Sequence, residues 1–497
     1  MTGPPTTARP APSALRSGTL TGLAQVLVAF AAAGAGALLA HRFGRNAETD
    51  GFLDAYAVYI VLIFAAQSFR MVVVPDLTRA AEEGRLGGES RSYAIAYLAL
   101  AVPVSVLVAV FSSQIGDVLT GSLPLRAAHV AARALVVLVP AAFVQLLAAL
   151  AASALAALDS YGVAAAGFAL GGVVGLAVFA ALSGSHGIIA LAWGLAANAA
   201  VSLAVPLVAL LRRNALGGRR PDRLAIGPRL RYLAQGAAVP VALQGCYLLG
   251  LRLAAQLGVG QVTSFSYAYL AASTLVGATA FSVALISSAP MTRRGFDELA
   301  AARHVVHAAW VSLSIVGAAA GVFALVGGKI VGAVLGNAYG GGVGTQLGHL
   351  VVYLAPWMLA WVAFAVTFPL VFVAEKRWTL VPLALAGFGV CIPLGLGLRS
   401  LWGLAGIAVA VGLATLVIAA GLVATLGLQT LAVAAVGLAR LALAIGAATA
   451  LAFGAPSVAL SPVPAAVAGV AVYAVLIFAM RSLGLSEAWS YVRGLHE

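Results

Sequence analysis

Charged residues are scarce in this chain. Only 28 Lys or Arg and 15 Asp or Glu occur among 497 residues, which is 9% of the total, whereas soluble globular proteins carry about 25%. Hydrophobic residues make up 62%, and the mean hydropathy is +1.05. This composition excludes an ordinary soluble enzyme, and it is too apolar for an intrinsically disordered chain. We predict an all-α polytopic membrane protein.

The chain is also poor in cysteine and in long polar stretches. Its two cysteines, Cys246 and Cys391, lie inside apolar runs, so no disulfide framework is indicated. The longest polar stretch, 212–231, has about twenty residues and leaves no room for a soluble catalytic, nucleotide-binding or receptor domain. We therefore expect a transporter rather than an enzyme, without a metal site or a cofactor.

Long apolar runs are what the sequence does contain. A bilayer-crossing helix needs about 20 mostly apolar residues, and fourteen stretches satisfy this length. Gly-rich dips at Ser183–His186 and Arg399–Ser400 divide two pairs of them. The predicted spans are 18–40, 51–75, 92–115, 129–157, 161–182, 187–211, 232–257, 262–288, 304–326, 349–374, 378–398, 401–426, 431–454 and 462–483.

The distribution of basic residues predicts the orientation. An even number of spans puts both termini on one side, and with the termini inside, the inner segments hold 19 Lys or Arg against 5 in the outer loops. The positive-inside rule therefore places the tails 1–17 and 484–497 in the cytoplasm. The net charge of +13 then records topology, and we expect no nucleic-acid partner.

Two pairs of similar segments, separated by nearly the same number of residues, indicate an internal repeat. The segments Thr49–Arg79 and Thr263–Arg293 share an early Ala-Tyr pair and a late Pro followed by Thr-Arg. Gly187 and Gly403 repeat at nearly the same offset. A unit of six helices gives two parallel repeats related by a pseudo-two-fold axis along the membrane normal. We predict an N-lobe (18–211), a basic inner loop (212–231), a C-lobe (232–426) and two further helices (431–483).

Two motifs stand at the start of these repeats. They contain Phe43, Gly44, Thr49, Asp50, Phe52 and Pro75 in the first repeat, and Gly260, Tyr267, Ala268 and Pro290 in the second. The first motif resembles the second-helix pattern FG…TDAF…P of a known family, the MurJ (MviN) lipid II flippases of the multidrug/oligosaccharidyl-lipid/polysaccharide (MOP) exporter superfamily, and the second is similar to that family's eighth-helix signature. The resemblance implies a bacterial cytoplasmic-membrane transporter that moves a lipid-linked cell-wall precursor to the outer leaflet.

The chain departs from this family where the family binds its substrate. The arginines that the family directs at a pyrophosphate correspond here to Gln25 and about Ala31 in the first span and to about Ile63 in the second. In the eighth span the family's Ala-Asp-Arg is Ala268-Tyr269-Leu270 here, so Leu270 stands in place of the arginine. The sodium ligands of some relatives on spans seven and eleven also have no acidic or Asn counterpart here. The coupling ion therefore stays open between a proton and the membrane potential.

Ionisable residues inside spans are the remaining candidates for binding, because a charge at the centre of a membrane helix costs about 2.5–3.5 kcal/mol on insertion scales. Arg252 either binds a substrate phosphate or snorkels to the outer interface. Arg70 either meets a phosphate at the inner mouth, pairs with an acid or snorkels. Asp54 either partners Arg252, carries a coupling proton or is an interfacial carboxylate. Gln25 is a further substrate-binding candidate.

The basic stretch Arg212–Arg231 holds seven arginines, which we interpret as a topology signal that also contacts anionic lipids. The alternatives to a flippase are an exporter of another lipid-linked saccharide or of a small amphipathic compound, and a non-transporting scaffold that recruits cell-wall synthesis proteins. A membrane glycosyltransferase would need acidic residues in a sizeable outer loop, and the outer loops hold only Glu48, Asp50 and Asp117.

Overall fold

The computed structural model describes residues 14–158, 160–217, 226–276, 298–374 and 376–480, and this part of the chain is all-α with no strand. Eleven helices of the described residues are long and apolar enough to cross a membrane, which confirms the predicted fold class. The helices are α1 (Ala14–Phe43), α2 (Ala47–Glu82), α3 (Leu86–Val110), α4 (Ser112–Thr120), α5 (Leu125–Ala156), α6 (Tyr161–Leu182), α7 (Ala190–Arg212), α8 (Ile226–Ala255), α9 (261–276), α10 (Glu298–Leu335), α11 (Gly341–Tyr353), α12 (Ala355–Val373), α13 (Leu380–Leu426), α14 (Leu428–Ala459) and α15 (Pro462–Ala479).

Both Gly-rich dips in the sequence mark real helix boundaries. Helix α6 ends at Leu182, and a short 3₁₀ turn, Gly187–Ile189, leads into α7. Helix α13 has 47 residues but is non-helical at Gly403, where φ is 57° and ψ is −129°. At 1.5 Å per residue it is about 70 Å long, twice the ~30 Å hydrocarbon core of a bilayer. It therefore represents the two spans that the sequence predicts on either side of Arg399–Ser400.

Two predicted spans are wrong in their boundaries. The span 349–374 is broken between α11 and α12, because Pro356 lies in the first turn of α12 and has no N–H for the preceding helix. The span 92–115 ends early, since α3 stops at Val110 and the separate nine-residue helix α4 follows. The predicted span 262–288 overlaps α9 only as far as 276, and its remainder lies outside the described residues.

The backbone carries a further trace of the internal repeat. Helix α2 begins at position 47 and α9 at position 261, which is the same offset as that between Thr49 and Thr263. Three pairs of glycines with positive φ follow nearly this spacing: Gly44 and Gly258, Gly121 and Gly336, and Gly187 and Gly403. In the last pair the φ angles are 58° and 57°. Glycines with positive φ therefore recur at equivalent positions in the two halves.

The chain forms two compact units. Unit 1 contains residues 1–38, 72–106 and 137–230, and unit 2 contains 39–71, 107–136 and 231–497. In unit 1, α6 and α7 pack through small residues: a Cβ at Gly175 would lie 2.7 Å from the Gly194 carbonyl oxygen, so the helices approach closely. The lobe boundaries at 211 and 232 stay a prediction.

Unit 2 joins residues from both halves of the sequence. The start of α2 and the region around α4 lie in the same compact unit as α8 to α15. Helix α12 carries an aromatic row along one face, in which Trp357, Trp361, Phe364, Phe368 and Phe372 follow one another with ring centroids 5.1–5.2 Å apart. The first four of these side chains are buried, so the row lies in the interior of unit 2.

Candidate functional site

The buried carboxylate of Asp50, in the first turn of α2, caps the N-terminus of α9. It accepts hydrogen bonds from the backbone N–H of Gly260, from the backbone N–H of Thr263 at 2.8 Å, and from the Thr263 hydroxyl. Asp50 and Thr263 are fully buried. The first N–H groups of a helix have no partner within the helix and carry a partial positive charge, which an anionic oxygen satisfies best.

The local sequence explains why α9 takes its cap from the other half of the chain. Helix α2 is capped by its own neighbour, since Asn46 Oδ1 accepts the Thr49 N–H at 2.9 Å. The equivalent position before α9 is Gly260, which has no side chain to offer and adopts a φ of 84°. Asp50 therefore supplies the oxygen that the second repeat lacks, and the cap ties α2 to α9 inside unit 2.

Further hydrogen bonds join the same two stretches of chain. Arg45 Nε donates to the Gly260 carbonyl at 2.8 Å, and the Tyr339 hydroxyl donates to the Gly44 carbonyl at 3.0 Å. The Tyr339 ring also packs edge-on against Tyr267. Burial raises the pKa of Tyr339 to about 12. We call Arg45, Asp50, Gly260, Thr263 and Tyr339 the capping cluster.

One turn further along α2, Asp54 lies close enough to Arg252 of α8 for their charges to interact. No direct ion pair joins them in the described part of the chain, and both Asp54 Oδ2 and Arg252 Nη1 are buried without a hydrogen-bond partner there. Asp54 is 1% exposed. The structure therefore brings together the two residues that the sequence suggests as partners, but leaves both with unused hydrogen-bonding capacity.

The guanidinium of Arg252 lies on Gly121, at the end of α4. A Cβ at Gly121 would overlap this guanidinium, and the φ of Gly121 is 61°, so glycine is required there for two reasons. Arg252 also lines a cavity of about 650 Å³ together with Arg399. Sequence reasoning missed Gly121 and Arg399 as neighbours of Arg252, because their proximity depends on how distant helices pack.

Tyr269, which precedes Leu270 in α9, belongs to an aromatic cluster. The Tyr269 ring stacks on Tyr247 with centroids 4.0 Å apart and lies 4.6 Å from Trp357. Its hydroxyl donates to Gln244 Oε1 at 3.3 Å. Tyr269 is 2% exposed. The Tyr269 side chain is therefore committed to packing.

The other predicted residues fall in three groups. Phe52, Tyr267 and Ala268 are buried near the capping cluster, as expected for structural motif residues. Gln25, Arg70 and Pro75 lie in α1 and α2, but their side chains are outside the described part of the structure. Pro290, like the rest of 277–297, lies outside the described residues.

Part of the basic stretch 212–231 has a structural role in unit 1. Arg229 Nη2 lies 2.7 Å from Glu89 Oε1, both side chains are mostly buried, and the guanidinium also stands 5.2 Å from the centre of the Tyr93 ring. Residues 218–225 lie outside the described part of the chain. Of the seven arginines in this stretch, Arg229 therefore has a structural role in the fold.

Comparison with solved structures identifies the fold. A structure of the lipid II flippase MurJ in an inward closed conformation is similar to this chain with a TM-score of 0.70 at 15% identity, over 95% of this chain and 100% of that one. A eukaryotic MATE transporter is similar with a TM-score of 0.58 at 15% identity, over 86% of this chain and 99% of that one. A variant of a Vibrio cholerae MATE transporter is similar with a TM-score of 0.57 at 13% identity, over 83% of this chain and 97% of that one.

The chain has a divergent MurJ-like fold. The first of these neighbours is named as a lipid II flippase and the other two as MATE transporters. A further neighbour, with a TM-score of 0.57 at 13% identity over 86% of this chain and 94% of that one, is named as a multidrug resistance MATE family transporter of the MOP superfamily. No protein-family model and no curated protein matches the sequence. The fold expected from the motifs at Thr49–Phe52 and Gly260–Ala268 is therefore confirmed, at an identity that establishes architecture alone.

Proposed function

We propose that this chain is a MOP-type transporter that moves a polyprenyl-diphosphate-linked saccharide, similar to lipid II, from the inner to the outer leaflet of the bacterial cytoplasmic membrane by alternating access. Both termini are cytoplasmic in this proposal. No covalent chemistry is required of the protein. Its task is to bind the charged head group on one side, close behind it, and open to the other side.

The extent of the fold match carries the proposal. The flippase alignment covers 95% of the 497 residues. The uncovered remainder is shorter than α14 alone, which has 32 residues, so the alignment must include a large part of α14 and α15. The MATE alignments cover only 86% and 83% of this chain. A plan of two six-helix repeats followed by two helices supports a flippase over a drug exporter.

The capping cluster supports alternating access. Its hydrogen bonds link residues 44–50 of the first repeat to residues 260–339 of the second at the predicted outer ends of their helices. A neutral hydrogen bond contributes a net stabilisation of about 0.5–1.5 kcal/mol to the folded state, and a hydrogen bond to a charged group contributes about 1.5–3 kcal/mol. In this proposal these hydrogen bonds hold an outer gate shut, and substrate binding energy opens it.

Arg252 is the candidate ligand for the substrate diphosphate. Its guanidinium is positioned by Gly121, faces a cavity and has an unpaired buried nitrogen, while Asp54 supplies a nearby negative charge. Arginine forms bidentate, charge-assisted hydrogen bonds with phosphate oxygens. An incoming diphosphate would satisfy the unused donors, and Asp54 is the candidate to respond to the change in charge or to carry a coupling proton.

Depletion of the protein in its native bacterium tests the proposal. Lipid-linked cell-wall precursors should accumulate in the inner leaflet, where an externally added, membrane-impermeant hydrolase cannot reach them. Complementation with Arg252→Ala should restore export poorly, whereas Arg133→Ala, an exposed arginine at the same predicted side, should restore it fully. Normal precursor amounts and sidedness after depletion would contradict the proposed function. Equal effects of the two variants would exclude Arg252 as the ligand of the substrate diphosphate.

One observation favours a second candidate, a scaffold without transport. Leu270 stands where the resemblance to the flippase family implies an arginine, so the diphosphate loses one expected ligand. A purified protein that retains no lipid-linked precursor in a native mass spectrum, yet copurifies with cell-wall synthases, would support the scaffold. The retained lipid would also distinguish a lipid-linked saccharide from a small amphipathic cargo.

A further inference from the structure

A second basic group lies beside Arg252 at the predicted outer end of unit 2. The cavity of about 650 Å³ is lined by two arginines, three uncharged polar residues and one leucine, namely Arg252, Arg399, Gln256, Ser122, Ser400 and Leu257. Three separate segments contribute these residues: the turn after α4, the end of α8, and the residues preceding the Gly403 kink of α13. No acidic residue is among them.

Hydrogen bonds hold several of the side chains that line the cavity. Arg399 donates a hydrogen bond to Gln256 Oε1, and the Ser122 hydroxyl donates to the Ala255 carbonyl at 3.3 Å. Arg252 is fixed on Gly121, and its Nη1 is buried without a hydrogen-bond partner among the described residues. Asp54 lies near Arg252 from outside the cavity, but no acidic side chain lines the cavity itself, so both guanidinium groups attract an anion that enters it.

We propose that this cavity is an outer-face binding site for a phosphate-bearing ligand, with Arg252 and Arg399 as its two cationic ligands. Two guanidinium groups match the charge and the donor geometry of a phosphate or diphosphate. Ser122 and Ser400 provide hydroxyl donors for the remaining oxygens. The ligand is either the head group of a lipid or a free phosphate compound, which share this chemistry. This inference rests on the proposed function in that Arg252 is also the candidate ligand of the transported diphosphate, but binding to the cavity is measured without transport, so the two can fail separately.

Binding to the purified full-length protein in nanodiscs tests the site, with inorganic pyrophosphate in one arm and a polyprenyl diphosphate in the nanodisc lipid in the other. Isothermal titration calorimetry measures the first, and native mass spectrometry counts the second. The test variant is Arg399→Gln, which removes one cation from a half-exposed position. The matched control is Arg126→Gln, an exposed arginine at the same predicted end that does not line the cavity.

We expect saturable binding in at least one arm, weakened at least tenfold by Arg399→Gln and changed less than twofold by Arg126→Gln. Binding of pyrophosphate alone identifies a soluble ligand, binding of the lipid alone identifies a head group, and binding of both shows that the phosphate itself is recognised. Absence of binding in both arms would overturn the proposal. So would equal weakening by the two variants. A charge reversal, Arg399→Glu, should abolish binding while the protein keeps its size-exclusion profile, which separates loss of the site from loss of the fold.

Discussion

Replacing Asp50 by alanine should loosen the first turn of α9, although that helix belongs to the other half of the sequence. The substitution leaves the N–H groups of Gly260 and Thr263 and the Thr263 hydroxyl without their acceptor in a fully buried place. Each buried donor that loses its partner costs about 1–3 kcal/mol. Allowing for local relaxation, we expect a loss of about 2–5 kcal/mol at this helix end.

Hydrogen exchange measures this loss locally, because amides exchange through openings whose free energy is reduced by the same amount. A change of about 1.4 kcal/mol corresponds to a factor of ten, so the amides of the first turn of α9 should exchange about 30-fold to 3,000-fold faster in Asp50→Ala. Asp50→Asn keeps one acceptor oxygen and should lie between this variant and the wild type.

Asn46→Ala is the matched control, since Asn46 caps α2 within its own repeat. It should raise exchange at Thr49 and leave the first turn of α9 unchanged. The reasoning fails if Asp50→Ala leaves α9 within threefold of the wild-type exchange rate. It fails as well if Asn46→Ala exposes α9 to the same degree, because the cap would then have no specific effect.

Three further substitutions test the packing of unit 2 and its pH dependence by thermal unfolding. Gly121→Ala should lower the unfolding temperature more than Gly84→Ala. Both glycines have positive φ, where an alanine costs about 1–2 kcal/mol, but only the Cβ at position 121 would overlap a guanidinium. Equal losses of unfolding temperature would contradict the contact between Arg252 and Gly121. Gly51→Ala, although it restores the family residue, should destabilise the fold because a Cβ there would overlap the Ala127 backbone; a neutral result would refute this close helix crossing. Tyr339→Phe should reduce the stability of the fold by about 1 kcal/mol at pH 8, yet lose less stability in alkali. Burial raises the pKa of Tyr339 from 10.0 to about 12, so the wild type loses stability as the pH rises from 10 to 12, and phenylalanine cannot titrate. An equal alkaline loss of stability in the variant would contradict this reasoning.

The sequence predicted the helices well where composition alone defines them. Apolar length and Gly-rich dips placed the boundary after Leu182 and the kink near Gly403. The break before α12 was missed although Pro356 signals it, because the surrounding residues are apolar enough to read as one span. The short helix α4 was missed because nine residues are too few for a periodicity to stand out.

The candidate site was only partly predictable. The motif marked Asp50 and Gly260 separately, and the missing side chain at Gly260 hints that its helix needs an outside cap, but nothing in either stretch identifies the partner. A partnership of Asp54 with Arg252 was one of the alternatives suggested by their charges, and the described residues show the two near each other without a direct ion pair. Arg399 was assigned to an outer loop and its place beside Arg252 depends on the packing of α8 against α13, which local patterns do not encode.

Reconstituted translocation tests the central proposal most directly. Purified protein is placed in liposomes that carry a fluorescent polyprenyl-diphosphate saccharide in both leaflets, and an impermeant reagent quenches the outer leaflet. If the chain is a flippase, the protected inner pool should become accessible in proteoliposomes much faster than in empty liposomes, and Arg252→Ala should slow this relative to Arg133→Ala. Quenching that stops at the outer-leaflet fraction, with the protein folded and its α9 amides protected, would contradict the account.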